Sequence, residues 1–591
     1  MPEGRFLDLV DLVGSFVSYR LARRKVRPKS GNAVDDGGLI PDLTGSAMHT
    51  SAQLQTAAGL SGGVKNDNKE ELGSTDYFDD WQLRAAAKIM ALLFAANNSW
   101  SKAEALASPA DDVMPDARPR SKLWGQLLPV SDFYNTLLDY QDVIADFKNW
   151  EARTGKFSFC QYSFFLSMGS KIRILEYDAK RQMEAKARET YFNNVISGRA
   201  QDVNFHLHVR RECVVEDSLS RIGEVVGQLQ GDLKKGLRVH FTGEEGVDAG
   251  GLKKEWFMLV VRDIFDPEHG LFVYDPDSHL CYFNPHSFET SDQYYMVGVL
   301  LGLAIYNSTI LDVALPSFAF RKLLVSAPSS PSSISITSRN TMTYTLDDLA
   351  EYRPSLAAGL RTLLDFEGDV ETTYLWSFTV PIERYGVVTE HALIPGGEHK
   401  PVTNANRHDF VNLYVRHLLD TSVARQFEPF KRGFFTVCAG NALSLFRAEE
   451  IELLIRGAEE DFIDVDALRA VAVYENFRRA DRPEEVIKVN VAEEVPVVRW
   501  FWEHFRNAEP KDQRRLLQFI TGSDRVPATG AAGLVLRIAM GGDGTGRDGA
   551  DRYPIARTCF NLVQLWGWKS KERLEEMVRG AVEGSEGFGL K

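Results

Sequence analysis

Arg552-Tyr-Pro-Ile-Ala-Arg-Thr-Cys-Phe-Asn-Leu562 sets a single thiol, Cys559, between a proline turn and an apolar run. A thiol does covalent chemistry as the thiolate, which needs an accessible position and nearby positive charge or hydrogen-bond donors to lower its pKa. Arg552 and Arg557 can bring charge to this stretch, and Thr558 and Asn561 can bring hydrogen bonds. A cysteine taken by residue type alone is more often a small buried hydrophobe.

On the C-terminal side, Lys571 to Val582 carries Leu574, Met577, Val578, Ala581 and Val582 on one face behind Ser570, the pattern of a capped helix. Glu583-Gly-Ser-Glu-Gly587 then breaks the helix, and a large aromatic, Phe588, follows it. On the N-terminal side, residues 541–551 hold five glycines in 11 positions, which predicts a loop. Further back, Gly457-Ala458-Glu459 interrupts a helical pattern before Asp461-Phe-Ile-Asp464, and glycine permits the φ/ψ changes that a hinge must absorb.

The remainder reads as large cores with loops between them. Trp81 to Asn97 shows an apolar stripe at helical spacing, and Leu123–Trp150 and Tyr162–Asn194 are dense in aromatic and aliphatic residues. Leu237 to Leu252 reads as a strand, a glycine turn and the start of a helix; a phosphate loop is excluded because Leu252, not lysine, follows Gly251. Gly298 and Gly302, four apart in an apolar run, predict close approach of another backbone. Residues 326–338, with seven serines and two prolines, predict a flexible insertion. Leu346 to Phe366 reads as helical and Trp376 to Val388 as strand. Residues 30–74 are polar and poor in large apolar side chains, which predicts disorder.

The net charge of −14 and pI near 5.5 argue against a general nucleic-acid binder. Five widely spaced cysteines, without a C-x-x-C pair, suggest neither a disulfide framework nor a zinc site, and fit a reducing compartment. No metal or cofactor is expected. The longest strongly apolar run, Met296–Tyr306, is far short of the ~20 residues that span a bilayer.

Pro554-Ile-Ala-Arg-Thr-Cys-Phe-Asn561, Trp568-Lys-Ser-Lys-Glu572 and Gly587-Phe-Gly-Leu-Lys591 closely resemble the end of HECT ubiquitin ligases. The resemblance continues upstream in family order through Leu516 to Pro527, Asn404 to Phe410, Phe283-Asn-Pro285, Leu237 to Leu252 and Val209-Arg-Arg-Glu212. It covers about residues 123–591. Phe133-Tyr-Asn135, Lys156-Phe-Ser-Phe159 and Tyr177 to Met183 are similar to the segment before the catalytic domain in the Angelman-syndrome ligase subgroup.

The resemblance implies an α+β, bilobal fold. Its expected parts are a mostly disordered region 1–75, a helical extension 76–204, an N-lobe 205–456 with a small sub-lobe near 340–402, a hinge at Gly457, Ala458 and Glu459, and a C-lobe 460–591. It also implies function. Cys559 would take ubiquitin from a conjugating enzyme as a thioester and pass it to substrate lysines, with Arg557, Thr558, Asn561 and Phe588 assisting transfer. By motif match, Leu356, Gly359, Leu360, Phe366 and Phe410 would line the conjugating-enzyme groove. Many relatives have a histidine two residues before the cysteine; here that position is Arg557, which cannot accept a proton at neutral pH. The general base is therefore not identifiable from sequence. The implied partners are ubiquitin, a conjugating enzyme and protein substrates, with no nucleic acid and no membrane span, in cytoplasm or nucleus. A noncatalytic adaptor that keeps only the conjugating-enzyme groove is the alternative, and intact Cys559 and Phe588 count against it. A cysteine hydrolase would need a Cys/His pair that the sequence neither shows nor excludes.

Overall fold

Buried apolar side chains from Phe6 to Ile455 form one continuous core, and those from Ile463 to Val578 form a second. The computed structural model describes residues 3–23, 77–99, 126–198, 202–228, 233–244, 251–309, 311, 313–327, 342–384, 387–457, 463–478, 486–487, 491–527, 529–546 and 551–585. Two cores mean two lobes, so the α+β bilobal architecture is what the chain adopts.

Helix α1 (Glu3–Ala22) packs on α2 (Trp81–Asn97). Helix α2 begins where Asp80 accepts from the backbone N–H groups of Gln82 and Leu83, and Leu83, Ala86, Ala87, Met90 and Phe94 bury its stripe. Such an N-cap satisfies donors that the first turn leaves unpaired. Arg20 of α1 pairs with the same Asp80 at 2.7 Å. The expected disordered N-terminus thus begins with a packed helix at residues 3–22, because Phe6, Val10, Val17 and Leu21 recur at helical spacing and have a face to bury against. Residues 24–76 lie outside the described set, as does most of the serine-rich insertion.

Helix α3 (Met168–Ser197) packs on the short helix Val143–Glu151. Strands β1 (Asn204–Val209) and β2 (Gly236–Phe241) pair in parallel, with helix Val214–Gln228 between them, and α4 (Gly251–Ile264) follows β2. Trp256 of α4 is fully buried and donates its indole N–H to Ser218 at 2.8 Å. Strands β3 (Phe272–Tyr274) and β4 (Cys281–Phe283) form a short hairpin ahead of α5 (Ser291–Tyr306).

The small sub-lobe comprises α6 (Leu346–Tyr352), α7 (Pro354–Asp365) and the antiparallel pair β5 (Thr379–Arg384) and β6 (Val387–Ala392), backed by α8 (Arg407–Leu419). Next comes α9 (Ala424–Val437), which crosses α5 at unusually close range. A Cβ on Gly298 would stand 1.9 Å from the Phe430 carbonyl oxygen, and one on Gly433 would stand 1.9 Å from that of Tyr295. Only glycine allows this approach, as the Gly298/Gly302 spacing predicts. Helix α10 (Ala448–Arg456) closes the first lobe.

The N-terminal helices do not form a separate layer. Lys171 of α3 and Tyr134 both reach Glu450 of α10, Gln126 reaches Glu449, and the Arg447 guanidinium lies 4.9 Å over the Phe94 ring. The expected division between extension and N-lobe near residue 204 is therefore not a boundary between cores.

The second lobe is a four-stranded sheet ordered β7 (Val473–Glu475), β8 (Arg537–Met540), β10 (Leu562–Leu565), β9 (Ile555–Arg557). Only the β9–β10 pair is antiparallel. Helices α11 (Pro496–Asn507), α12 (Pro510–Thr521) and α13 (Lys571–Ser585) cover it, with Phe501, Trp502, Phe505, Leu517 and Leu574 fully buried. Ser570 caps α13 through the Arg573 N–H. Among the described residues, no helix is long and apolar enough to cross a membrane.

Candidate active site

Cys559 lies in the one-turn helix Thr558–Phe560 that joins β9 to β10. Arg557 pairs in register with Leu562 across the hairpin, so the turn is short. Its geometry needs a left-handed residue at its exit, and Asn561 supplies it with φ near 50° and its N–H on the Thr558 carbonyl. Asparagine tolerates that region better than most side chains. The Asn561 carbonyl in turn accepts from the Arg537 N–H at 2.8 Å, which fixes the turn to β8. The segment leading into β9 is held by two indoles: Trp566 donates to the Tyr553 carbonyl and Trp568 to that of Arg552.

The turn faces the other lobe. Lys254 of α4 donates to Asn561 Oδ1 at 2.8 Å across 307 residues of sequence. Gly522, the left-handed residue ending α12, sits between Met258 of α4 and Thr558; a Cβ there would be 2.8 Å from the methionine sulfur and 3.5 Å from the threonine Cβ. Sequence reasoning missed Lys254 and Met258. Nothing in their local pattern distinguishes them from other residues of an amphipathic helix.

The other thiols have structural surroundings. Burial pushes the Cys281 and Cys438 thiols up to about 12 and raises that of Cys160. Cys213 is half-buried. Thiols held protonated by apolar burial are poor nucleophiles, and Cys160, Cys281 and Cys438 are of that kind.

The remaining predicted residues are scattered among different environments. Arg557 is exposed at the end of β9, and Thr558 and Asn561 are half-buried. Arg552 lays its guanidinium 4.9 Å over the Trp566 ring, so an indole face engages that charge. Gly457 ends α10 with φ near 73°, a left-handed value that glycine adopts without strain, and its N–H closes on the Leu453 carbonyl. Ala458, Glu459 and Phe588 lie outside the described residues.

The groove expectation changes most. Leu360 and Phe410 are 2% and 1% exposed, so neither lines an open surface. Phe410 packs edge-on to Phe378 at 5.5 Å and tilted to Trp376 at 6.1 Å. Leu360 sits on the inner stripe of α7 with Ala357 and Leu363. Leu356 and Phe366 are half-buried and Gly359 is exposed, while Leu375 and Trp376 beside them are 82% and 42% exposed. An apolar residue in a helix next to a groove points inward when its spacing matches the core stripe, and motif position does not distinguish the two faces.

The HECT-domain (ubiquitin-transferase) family matches residues 258–591 of this chain. The chain belongs to the HECT family. Probable E3 ubiquitin-protein ligase mug30 of Schizosaccharomyces pombe is 37% identical over 534 residues, covering 87% of this chain and 59% of the relative. Mouse probable E3 ubiquitin-protein ligase HECTD2 is 38% identical over 516 residues, covering 86% and 60%. Probable E3 ubiquitin-protein ligase HUL4 of Eremothecium gossypii is 33% identical over 649 residues, covering 100% and 70%. The chain thus spans about three fifths of the length of the mug30 and HECTD2 relatives. The HECT match contains both the small sub-lobe and the cysteine turn.

Proposed function

We propose that this chain takes ubiquitin from a charged conjugating enzyme onto Cys559 and passes it to lysines. Cys559 thiolate attacks the donor thioester, the conjugating enzyme's thiolate leaves, and a ubiquitin thioester forms on Cys559. A substrate amine then attacks that carbonyl, an amide forms, and Cys559 leaves as thiolate while the amine's proton passes to a base or water. The observation that carries this reading is the Thr558-Cys-Phe-Asn561 turn, which meets α4 of the first lobe through Asn561, in a chain where burial holds Cys281 and Cys438 protonated.

The conjugating enzyme is assigned to the small sub-lobe. Leu375 and Trp376 would meet it directly, with Leu356, Gly359 and Phe366 around them and with Leu360 and Phe410 supporting from beneath. Thr558, Asn561, Arg557 and Phe588 are assigned to transfer, and Gly457 to Glu459 to the hinge. The motifs at Phe133-Tyr-Asn135 and Lys156-Phe-Ser-Phe159 favour the Angelman-syndrome ligase subgroup. Nucleic acid is not among the proposed partners, in keeping with the net charge of −14. Cytoplasm or nucleus is the proposed location, in keeping with four described cysteines that are all free thiols.

The test is incubation with activating enzyme, conjugating enzyme and ubiquitin, followed by a non-reducing gel. A thiol-sensitive adduct that disappears in Cys559→Ala is the expected result. An adduct that survives this substitution places the nucleophile elsewhere.

A further inference from the structure

Helix α4 of the first lobe does more than fill a core. Its inner stripe, Trp256, Val260 and Ile264, is buried in that lobe, while its outer side presents Lys254 and Met258 to the turn that carries Cys559. Asn561 is the joint of this contact. Its backbone is pinned to Thr558 and Arg537, and its side chain is pinned to Lys254, so the pose of the turn and the pose of the lobe depend on one residue. The ammonium–amide hydrogen bond is part-buried and spans the two cores. A bond to a charged donor in such a place contributes more than an exposed neutral one.

We infer that Lys254 is a positioning residue: it docks the Cys559 turn on α4, and this docked arrangement serves lysine transfer rather than loading. The inference rests on the proposed function. The docked turn lies against α4, whereas the surface assigned to the conjugating enzyme is built from other elements, α6, α7, β5 and β6. A thiol must come within about 3.5 Å of the carbonyl that it attacks, so loading needs the turn to leave α4 for a donor held on the sub-lobe. Once ubiquitin is on Cys559, redocking through Lys254 and Asn561 gives the thioester one fixed orientation toward an incoming amine.

The experiment is single-turnover kinetics on the full chain, with charging by a ubiquitin-loaded conjugating enzyme followed by a chase with free lysine. Lys254→Ala should charge at the wild-type rate and discharge about tenfold more slowly, the scale of one hydrogen bond to a charged group. Lys254→Arg keeps a cationic donor and should restore most of the discharge rate. Asn561→Ala should show the same slow discharge, and the double variant Lys254→Ala/Asn561→Ala should be no slower than either single one. Discharge at the wild-type rate in Lys254→Ala overturns the inference. So does an equal loss of charging and discharge, a gain in both, failure of Lys254→Arg to restore discharge, or a double variant whose losses multiply. Absence of any thioester on the unaltered chain overturns the proposed function itself, and this inference with it.

Discussion

Lys171 donates to both carboxylate oxygens of Glu450, at 2.5 and 2.7 Å, with both side chains buried. The pair joins α3, near the N-terminal helices, to α10, whose last turn leads into Gly457. Burial holds the Lys171 ammonium below its ordinary pKa, while the Glu450 carboxylate opposes that shift. Glu450 also accepts from Tyr134 and from the Arg447 backbone, so its lone pairs are well occupied.

Removing Lys171 leaves the buried Glu450 carboxylate with hydrogen bonds but without its counter-charge. Lys171→Met should therefore lower stability by about 3–5 kcal/mol, read as a fall in the urea midpoint of the first lobe. The double variant Lys171→Met/Glu450→Leu should recover part of that loss. Equal midpoints for Lys171→Met and the unaltered chain would show that the pair is not desolvated in solution.

Phe410 and Trp376 should separate packing from binding. Phe410→Ala empties a core site and should cost about 3–5 kcal/mol as well as slowing Cys559 loading. Trp376→Ala removes a partly exposed ring and should slow loading with a much smaller change in melting temperature. A Phe410→Ala variant as stable as the unaltered chain would place that ring on the surface instead.

Gly457 holds a left-handed backbone at the end of α10. Gly457→Pro locks φ near −65° and should impair transfer between lobes while each lobe keeps its own unfolding transition. Full turnover in this variant would move the hinge elsewhere.

Phe588 follows a glycine-rich stretch, so a large aromatic there calls for a specific contact. Phe588→Ala should load Cys559 normally and discharge to lysine poorly, a split that chase kinetics resolves. Equal loss of both steps, or of neither, removes the role.

His417 gives a pH dependence with a defined sign. Burial, and then the neighbouring His391 ring at 4.6 Å, holds its imidazole below the ordinary 6.5. Between the lowered folded value and 6.5 the unfolded chain takes up a proton that the folded chain does not. Stability of the first lobe should therefore be constant above about pH 7 and fall as the pH drops through 6.5. His417→Gln should flatten that fall when urea midpoints at pH 7.5 and 5.5 are compared. His504 is lowered in the same sense and should leave a similar dependence in the second lobe.

Local chemistry was legible in the residues themselves. Trp81–Asn97 has the same bounds in pattern and in structure, because an apolar stripe and an Asp80 cap are encoded within one segment. The same holds for Gly298, whose missing Cβ marks a helix crossing, and for the Thr558-Cys-Phe-Asn561 turn, whose residue types suit a tight hairpin. Tertiary structure alone decided which way Leu360 and Phe410 face, because an apolar side chain in a helix can serve core or groove at the same spacing. It also decided that one core runs from Phe6 to Ile455, and that Lys254 meets Asn561. Those contacts join residues hundreds of positions apart, where the energy comes from the burial of both partners together and leaves no periodic trace in either segment.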